Sequence, residues 1–390
     1  MVSWMKTYKT EIYPTQEQII KLNQTIDVCR FLYNQFISYN KEVYEKEGKF
    51  VSGLDFDKYV NNELSVQEGF KWIKKAYGKA RKKSIMNAEN AFKRFFKELS
   101  KFPRFKKKRN QDVSFYAPRN NKGDLLIERH RIKVPFLGWV RLKEKGYLPV
   151  KQQAKNITIT QKAGRYYISA FLDCDFPYSN NQQKSEGIGI DLGIKEFAFA
   201  SNGHSFRNIN KTPRVRKFEK KLKREQGSLS RKYEFYKKKG GKSAAKERRN
   251  LNKNILRVQK LYQRLLTIRE AYRQHVVSMM VKTKPSFITT EKLNVKGMMK
   301  NRHLAKSVAN QGFYDFKQRL LHSCKKFGIE LREVDTFYPS SKLCSCCGHK
   351  KVNLSLSDRI YKCDNCKVEL NRDHNASLNL KQATKYVVLT

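Results

Sequence analysis

The segment from Cys344 to Ala376 constrains this chain more tightly than any other. Cys344-x-x-Cys347 and Cys363-x-x-Cys366 stand fifteen residues apart, and the second pair runs into Asn371-Arg372-Asp373-His374-Asn375-Ala376. Each pair makes a turn that offers two thiolates to a single tetrahedral ion, and the spacing fits a structural Zn²⁺ ribbon. Four thiolates leave no position open for water, so one zinc ion here would hold the fold without doing chemistry. Cys346, His349 and His374 lie nearby and are read as spectators. Asp373, seven residues after Cys366, falls where such a knuckle fixes a carboxylate in place.

The 390 residues suffice for two or three domains, each with its own core. Lysine and arginine total 83 against 35 acidic residues, a net charge of +48. Such an excess repels itself at low salt and calls for a polyanionic partner. Nucleic acid fits better than a membrane, because no stretch approaches the ~18–20 apolar residues of a spanning helix. Met1–Thr7 also lacks the apolar run of a signal peptide. A cytoplasmic location is expected. Five of the eight cysteines crowd into 344–366, which speaks for metal ligation in a reducing compartment. Cys29, Cys174 and Cys324 are scattered and read as small buried apolar residues.

Trp4–Tyr13 reads as a strand ended by Pro14. Thr15-x-x-Gln18 is a capping-box signature, and Ile19, Leu22, Ile26, Cys29, Tyr33 and Phe36 follow at helical spacing. Helical pattern continues to about residue 100, with Phe92, Phe95 and Phe96 expected in a core. Residues 101–110 then hold six Lys or Arg around Phe102 and Phe105. Short strands follow: Gly138–Arg141, Ile157–Thr160, and Tyr166–Leu172 after a turn at Ala163-Gly164. A strand, a helical insertion and further strands together suggest a β-barrel interrupted by helices, with 179–185 as a polar linker.

The third region opens with Gly187-Ile-Gly-Ile-Asp191-Leu-Gly193 and a meander that turns at Asn202-Gly203. Residues 211–253 carry 18 Lys or Arg against 4 acidic residues. They read as an exposed arm or a helical pair facing nucleic acid. A long amphipathic helix is expected over Ile255–Met280, a buried strand over Phe287–Glu291, a helix over 313–327 and a strand over Glu330–Val334. A final helix opens near Asp373.

Three carboxylates sit in unusual places. Asp191 follows an apolar strand between Gly189 and Gly193, Glu291 ends a strand, and Asp373 opens a helix. Acidic residues rarely occupy such positions unless paired or bound to a cation. Converging, they would offer hard oxygens to Mg²⁺, and two such ions support phosphodiester hydrolysis. Singly, each has an ordinary alternative: Asp191 in a turn, Glu291 in a salt bridge, Asp373 as an N-cap. The meander–helix–strand–helix order is that of an RNase H-like fold.

Gly187-Ile-Gly-Ile-Asp191-Leu-Gly-Ile-Lys, Thr290-Glu291-Lys-Leu-Asn, Pro339-Ser-Ser-Lys-Leu-Cys344-Ser-Cys-Cys347-Gly and Arg372-Asp373-His-Asn-Ala closely resemble the TnpB family. These are RNA-guided DNA endonucleases of insertion sequences, related to miniature type V CRISPR effectors. Arg30-x-x-Tyr33-Asn34, Ala91-Phe-x-x-Phe-Phe96, Pro103-Arg104-Phe-Lys106 and Leu137-Gly-Trp-Val140 extend the resemblance over essentially the whole chain. It implies a multidomain α+β protein. A wedge β-barrel (1–14 and 106–185) is split by a helical recognition domain (15–105). A RuvC, RNase H-like nuclease (186–336 and 371–390, with a basic helical segment 211–282) carries a zinc-binding insert (337–370).

The resemblance further implies a catalytic triad of Asp191, Glu291 and Asp373 binding Mg²⁺, as two ions, with Mn²⁺ as a substitute. It implies zinc on Cys344, Cys347, Cys363 and Cys366. The expected partners are a noncoding guide RNA, one protein chain per RNA, and double-stranded target DNA bearing a short adjacent motif. Arg30, Tyr33, Asn34, Lys79, Lys82, Arg104, Lys106, Lys107 and Lys108 are the candidate nucleic-acid contacts. Three departures stand out: Lys367 where the family often has glycine, Asn371 where it usually has aspartate, and His322-Ser323 for a common Tyr-Lys. Tyr77–Lys83, where the family reads duplex DNA, is diverged. The rival readings are a compact CRISPR effector, a nuclease-inactive RNA-guided repressor, and a non-enzymatic zinc-ribbon nucleic-acid binder.

Overall fold

Alternating apolar residues at both ends of the first 174 positions, and helical periodicity between them, produce a sheet with helices inserted into it. The computed structural model describes residues 4–108, 114–150, 152–174, 185–238, 245–355 and 358–389. Arg109, the Cys174 side chain and nearly all of the expected 179–185 linker fall outside them. Chain packing separates residues 1–177 from 178–390.

In the first unit, β1 (Trp4–Tyr13) leads into α1 (Gln16–Glu47), α2 (Gly53–Asn62) and α3 (Gly78–Phe96). The strands β2 (Phe115–Pro118), β3 (Arg131–Val134), β4 (Gly138–Leu142), β5 (Asn156–Lys162) and β6 (Arg165–Cys174) follow. The sheet order is β2-β5-β6-β1-β4-β3, antiparallel throughout. It curls around one apolar interior that includes Ile12, Phe115, Val140, Ile157, Ile168 and Leu172. Bridges from Ile127 to Ile132 and from Leu126 to Gln153 link its two ends. The β5–β6 turn is two residues, Ala163 at φ 51° and Gly164 at φ 73°, the left-handed pair that matches the twist of a tight hairpin.

The helices pack on their own core, in which the Phe36 and Phe56 rings meet edge to face at 5.2 Å. The capping box at Thr15 and Gln18 forms as expected. The Gln18 amide nitrogen also donates to the carbonyls of Leu137 (3.0 Å) and Trp139 (2.9 Å), which fixes the helix start to the β3–β4 turn. Of the three phenylalanines expected in the core, Phe92 is buried but Phe96 is 55 % exposed. Phe96 is the last residue of α3, where it meets the Phe50, Phe92 and Phe95 rings on the side toward the helix and leaves the rest of its ring in solvent.

The second unit begins with the meander β7 (Ile188–Leu192), β8 (Glu196–Ala200) and β9 (Ser205–Arg207). Helices α4 (Pro213–Lys238) and α5 (Ala245–Lys282) lead to β10 (Phe287–Glu291), then α6 (Val295–Lys300), α7 (Arg302–Gln311), α8 (Phe313–Phe327) and β11 (Glu330–Val334). The chain closes with β12 (Ile360–Lys362), β13 (Glu369–Asn371), α9 (Arg372–Gln382) and β14 (Val387–Leu389). The sheet order is β14-β11-β10-β7-β8-β9. The meander is antiparallel, β10 and β11 run parallel to β7, and β14 closes the edge antiparallel. This is the RNase H-like arrangement expected from the order of elements. The expected helix over Ile255–Met280 is longer, because the basic tract before it continues the same helix from Ala245. That tract forms a helical pair: α4 and α5 share a narrow seam of Val215, Leu222, Val258, Leu261 and Leu265 and carry their charges outward. No helix among the described residues is long and apolar enough to cross a membrane.

Helix α9 lies directly on β7. A Cβ at Gly189 would stand 2.1 Å from the Ser377 carbonyl oxygen and 2.4 Å from the Lys381 nitrogen, both backbone atoms of α9. Only glycine permits this approach. Gly189→Ala therefore lowers stability by about 2–3 kcal/mol or more in chemical denaturation, because backbone cannot give way as a side chain does. Gly227→Ala in α4, whose Cβ meets only the tip of the flexible Arg231 side chain at 3.7 Å, stabilises by about 0.5–1 kcal/mol. Equal effects from the two would contradict this packing.

Candidate functional site

The parallel register places Thr290 beside Ile190, so Asp191 and Glu291, each one residue further on, leave neighbouring strands side by side. Asp373 reaches them from the first turn of α9, the helix seated on β7. Burial first, then the charges of Glu291 and Asp373, push the Asp191 carboxyl well above the usual range; Arg372 and the Leu192 N–H pull the other way. Glu291 is raised by burial, and the Ser340 hydroxyl that donates to its Oε1 opposes this. Asp191 thus feels the charge of both other carboxylates, an arrangement that a hard divalent cation relieves.

The ordinary alternatives do not describe these positions. Asp191 lies within β7 and not in a turn. Glu291 has Ser340 as its partner and no ion pair among the described residues. The cap of α9 is Asn371, whose Oδ1 accepts from the N–H groups of Asp373 (2.9 Å) and His374 (3.2 Å). The departure from aspartate at 371 therefore retains a good helix cap. His374 stays with the strands: its ring packs against Phe199 and its Nε2 lies 3.4 Å from the Ser201 carbonyl.

Sequence reading missed the residues that hold this arrangement together. Asn375 and Asn379, four apart on one face of α9, are both buried. Asn375 donates to the Leu343 carbonyl (2.6 Å) and accepts from the Ser345 N–H (2.9 Å). Asn379 donates to the carbonyls of Ser340 (2.7 Å) and Leu343 (2.7 Å). Two amides thereby clamp the loop that carries both Ser340 and Cys344. Their signal in the sequence was the i, i+4 spacing of two polar residues on the helical face that also holds Ala376 and Leu380.

The four cysteines come together. Their Sγ atoms all lie within 4.8 Å of one another, with Cys344 to Cys366 and Cys347 to Cys363 both at 3.6 Å. Four sulfurs about 2.3 Å from a tetrahedral zinc form edges of roughly 3.8 Å, so the cluster fits that ion. The backbone N–H of His349 chiefly lowers the Cys347 thiol, to about 6. At Cys366 the N–H of Val368 lowers the thiol, but burial and the three other sulfurs outweigh it and bring it to about 12. Both turns need a left-handed residue after the second cysteine: Gly348 at φ 73° and Lys367 at φ 60°. Lys367 thus holds a strained backbone where glycine would not, partly offset by its Nζ donating to the Asp364 carbonyl (2.8 Å).

The candidate nucleic-acid contacts divide into two kinds. Lys79, Lys82, Arg104, Lys107 and Lys108 are exposed, with Lys108 3.6 Å from Asp27. Arg30 is held at 2.8 Å by the same Asp27. Tyr33 and Asn34 act as internal fasteners in this structure. Asn34 exchanges two hydrogen bonds with the Lys106 backbone (3.0 and 2.7 Å). Tyr33 is buried, with the Lys106 Nζ 4.1 Å from its ring centroid. Together they pin the basic segment to α1.

Two family models match: a Cas12f1-like TNB domain over residues 313–380 and a helix-turn-helix domain over 1–49. The second description does not fit the observed structure, since residues 4–47 hold one strand and one uninterrupted helix. A protein of Escherichia coli (strain K12), provisionally named the RNA-guided DNA endonuclease InsQ, is 27 % identical, covering 97 % of this chain and 92 % of its own. The TnpB-like protein L770 of Acanthamoeba polyphaga mimivirus is 25 % identical, covering 97 % and 73 %. Among solved structures, a Cas12f1 chain from a complex with guide RNA and target DNA shares the fold. Its TM-score is 0.59 at 13 % identity, covering 99 % of this chain and all of the other.

Two predictions follow from the geometry. Asp191 and Glu291 have folded-state pKa values above their unfolded ones, so their contribution to stability is complete at low pH and is lost as pH rises through the folded values. A bound cation needs the ionised forms and acts in the opposite sense. In thermal denaturation, Mn²⁺ or Mg²⁺ raises Tm more at pH 8 than at pH 5, and Asp191→Asn raises the cation-free Tm while removing most of that gain. A cation effect independent of pH and of Asp191 would contradict the site. Lys367→Gly relieves a left-handed non-glycine residue and stabilises the knuckle by about 1 kcal/mol, read as slower zinc loss to a chelator; faster loss would show that the Lys367 contact outweighs the strain.

Proposed function

We propose that this chain, which belongs with the TnpB-like proteins, is an RNA-guided DNA endonuclease that cuts both strands of its target at one site formed by Asp191, Glu291 and Asp373. The observation that carries this reading is the placing of Asp191 and Glu291 at adjacent parallel strand ends of an RNase H-like sheet, where the charges of Glu291 and Asp373 add to burial in raising Asp191. The Escherichia coli relative carries the guided activity in its name and matches over nearly the full length of this chain. The partners come with the reading: a noncoding guide RNA, encoded at the end of a transposable element, and double-stranded DNA with a short flanking motif. One chain per RNA is the simplest assembly.

Asp191, Glu291 and Asp373 would hold Mg²⁺, as two ions, with Mn²⁺ as a substitute. Bound there, such ions supply an activated water and stabilise the leaving oxygen of a phosphodiester. The chain's own contribution is placement. The parallel strands set Asp191 and Glu291, α9 sets Asp373, and the Ser340 hydroxyl orients the Glu291 carboxylate while steadying its charge. Arg372, whose guanidinium donates to the Ser355 carbonyl at 2.7 Å, offsets the negative charge at Asp191. The knuckle would hold one Zn²⁺ on Cys344, Cys347, Cys363 and Cys366, and its role is to keep the 340–345 loop in register for Ser340.

Target choice would belong to guide pairing, leaving the protein to read the backbone and a short motif. The exposed lysines of 79–108 and the outward charges of α4 and α5 suit phosphates, with an affinity that counterion release makes steeply salt-dependent. Residues 15–105 would form the recognition domain within the wedge barrel of 1–14 and 106–185. Asp191→Ala is expected to bind guide and target as the wild type does while cutting about 10³-fold more slowly or not at all. Guided cutting by that variant at the wild-type rate would remove Asp191 from the chemistry.

A further inference from the structure

The strand end that presents Glu291 also forms one wall of a cleft. A cavity of ≈ 480 Å³ lies between Thr290–Lys296, helix α8 and the residues that follow β11. That volume is within the ~300–1,000 Å³ of small-ligand sites. Phe313 and Phe316 of α8 are buried and line it. Tyr314 and Phe337 line it too, yet they are 71 % and 91 % exposed. Among the described residues neither ring stacks on another aromatic side chain. A phenylalanine held almost wholly in water beside a cavity is an apolar face without a partner. Lys292 and Lys296 are exposed along the same wall, whereas Lys317 is committed to Glu333.

Aromatic faces beside ammonium groups form the recognition set of single-stranded nucleic acid, in which bases stack and phosphates are neutralised. The lysines disfavour a purely apolar ligand, and the net charge of +48 favours a polyanion. We propose that this cleft receives one unstacked nucleotide of the DNA strand being cut. Its base stacks on Phe337 and Tyr314, and its phosphate lies beside Lys292 and Lys296, so that the neighbouring phosphate is presented to Glu291. The inference rests on the nuclease reading and adds to it a site for the nucleotide flanking the cut. Rings bind the face of a base and not its edge, so the site tolerates any sequence, as a guided enzyme requires of the strand it cuts.

The test is single-turnover cleavage by guide-loaded protein on DNA in which one abasic residue is moved, position by position, along the cut strand. Stacking on one base is worth about ten-fold. Wild type is expected to slow by about that factor at one position flanking the cut. Phe337→Ala is expected to slow similarly on intact DNA, to lose nothing further from the abasic residue at that position, and to keep the wild-type Tm. Phe337→Trp restores the rate. A flat abasic profile in a wild type that cuts normally would overturn the cleft alone, as would a Phe337→Ala enzyme that keeps the wild-type profile. Failure of the guide-loaded wild type to cut any target would instead overturn the nuclease reading beneath it.

Discussion

The backbone of α9 against the backbone of β7 at Gly189 is the contact on which the rest of the nuclease unit depends. It brings Asp373 to Asp191 and Glu291, which the sheet already places side by side. It also gives Asn375 and Asn379 their reach to the 340–345 loop. Through that loop the cysteine knuckle, the Ser340 hydroxyl and the Glu291 carboxylate become one mechanical body. A methyl group at Gly189 would displace all of them together, whereas loss of any one hydrogen bond would be local.

The two metal-binding groupings differ in kind, and the difference follows from their donors. Four soft sulfurs within 4.8 Å of one another close around a tetrahedral ion and leave no room for water. Carboxylates of which Asp191 is raised by burial and by the charges of the other two suit hard ions that keep part of their hydration. On the proposed reading the knuckle is a brace and the carboxylates are the reactive centre, with only the short link from Cys366 to Asp373 between them.

Much of this was legible in the sequence, and the parts that were not share a cause. Strand β1, the capping box at Thr15, β10, α8 and β11 were readable because local periodicity and caps decide them. The cysteine quartet was readable because coordination chemistry dictates its spacing. Phe96 was misread because periodicity cannot say where a helix stops having neighbours. The internal role of Tyr33 and Asn34 was not legible because only the fold shows that a basic segment 72 residues downstream of Asn34 uses them as fasteners. Asn375, Asn379 and Ser340 were missed for the same reason: a buried amide is explained by its partners, and theirs are some 30 to 50 residues away. The helices α6 and α7 and the edge strand β14 are short and carry too little pattern to be read.

The account's central claim is that a guide chooses the DNA and these carboxylates cut it. The most direct measurement is cleavage of double-stranded DNA by the chain carrying its guide RNA, repeated after the targeting segment of that RNA is rewritten. The account predicts that the cut moves to the newly matched sequence, in both strands, and that chelating the divalent cation abolishes it. A cut that stays in place when the guide is changed, or that persists without divalent cation, would contradict it.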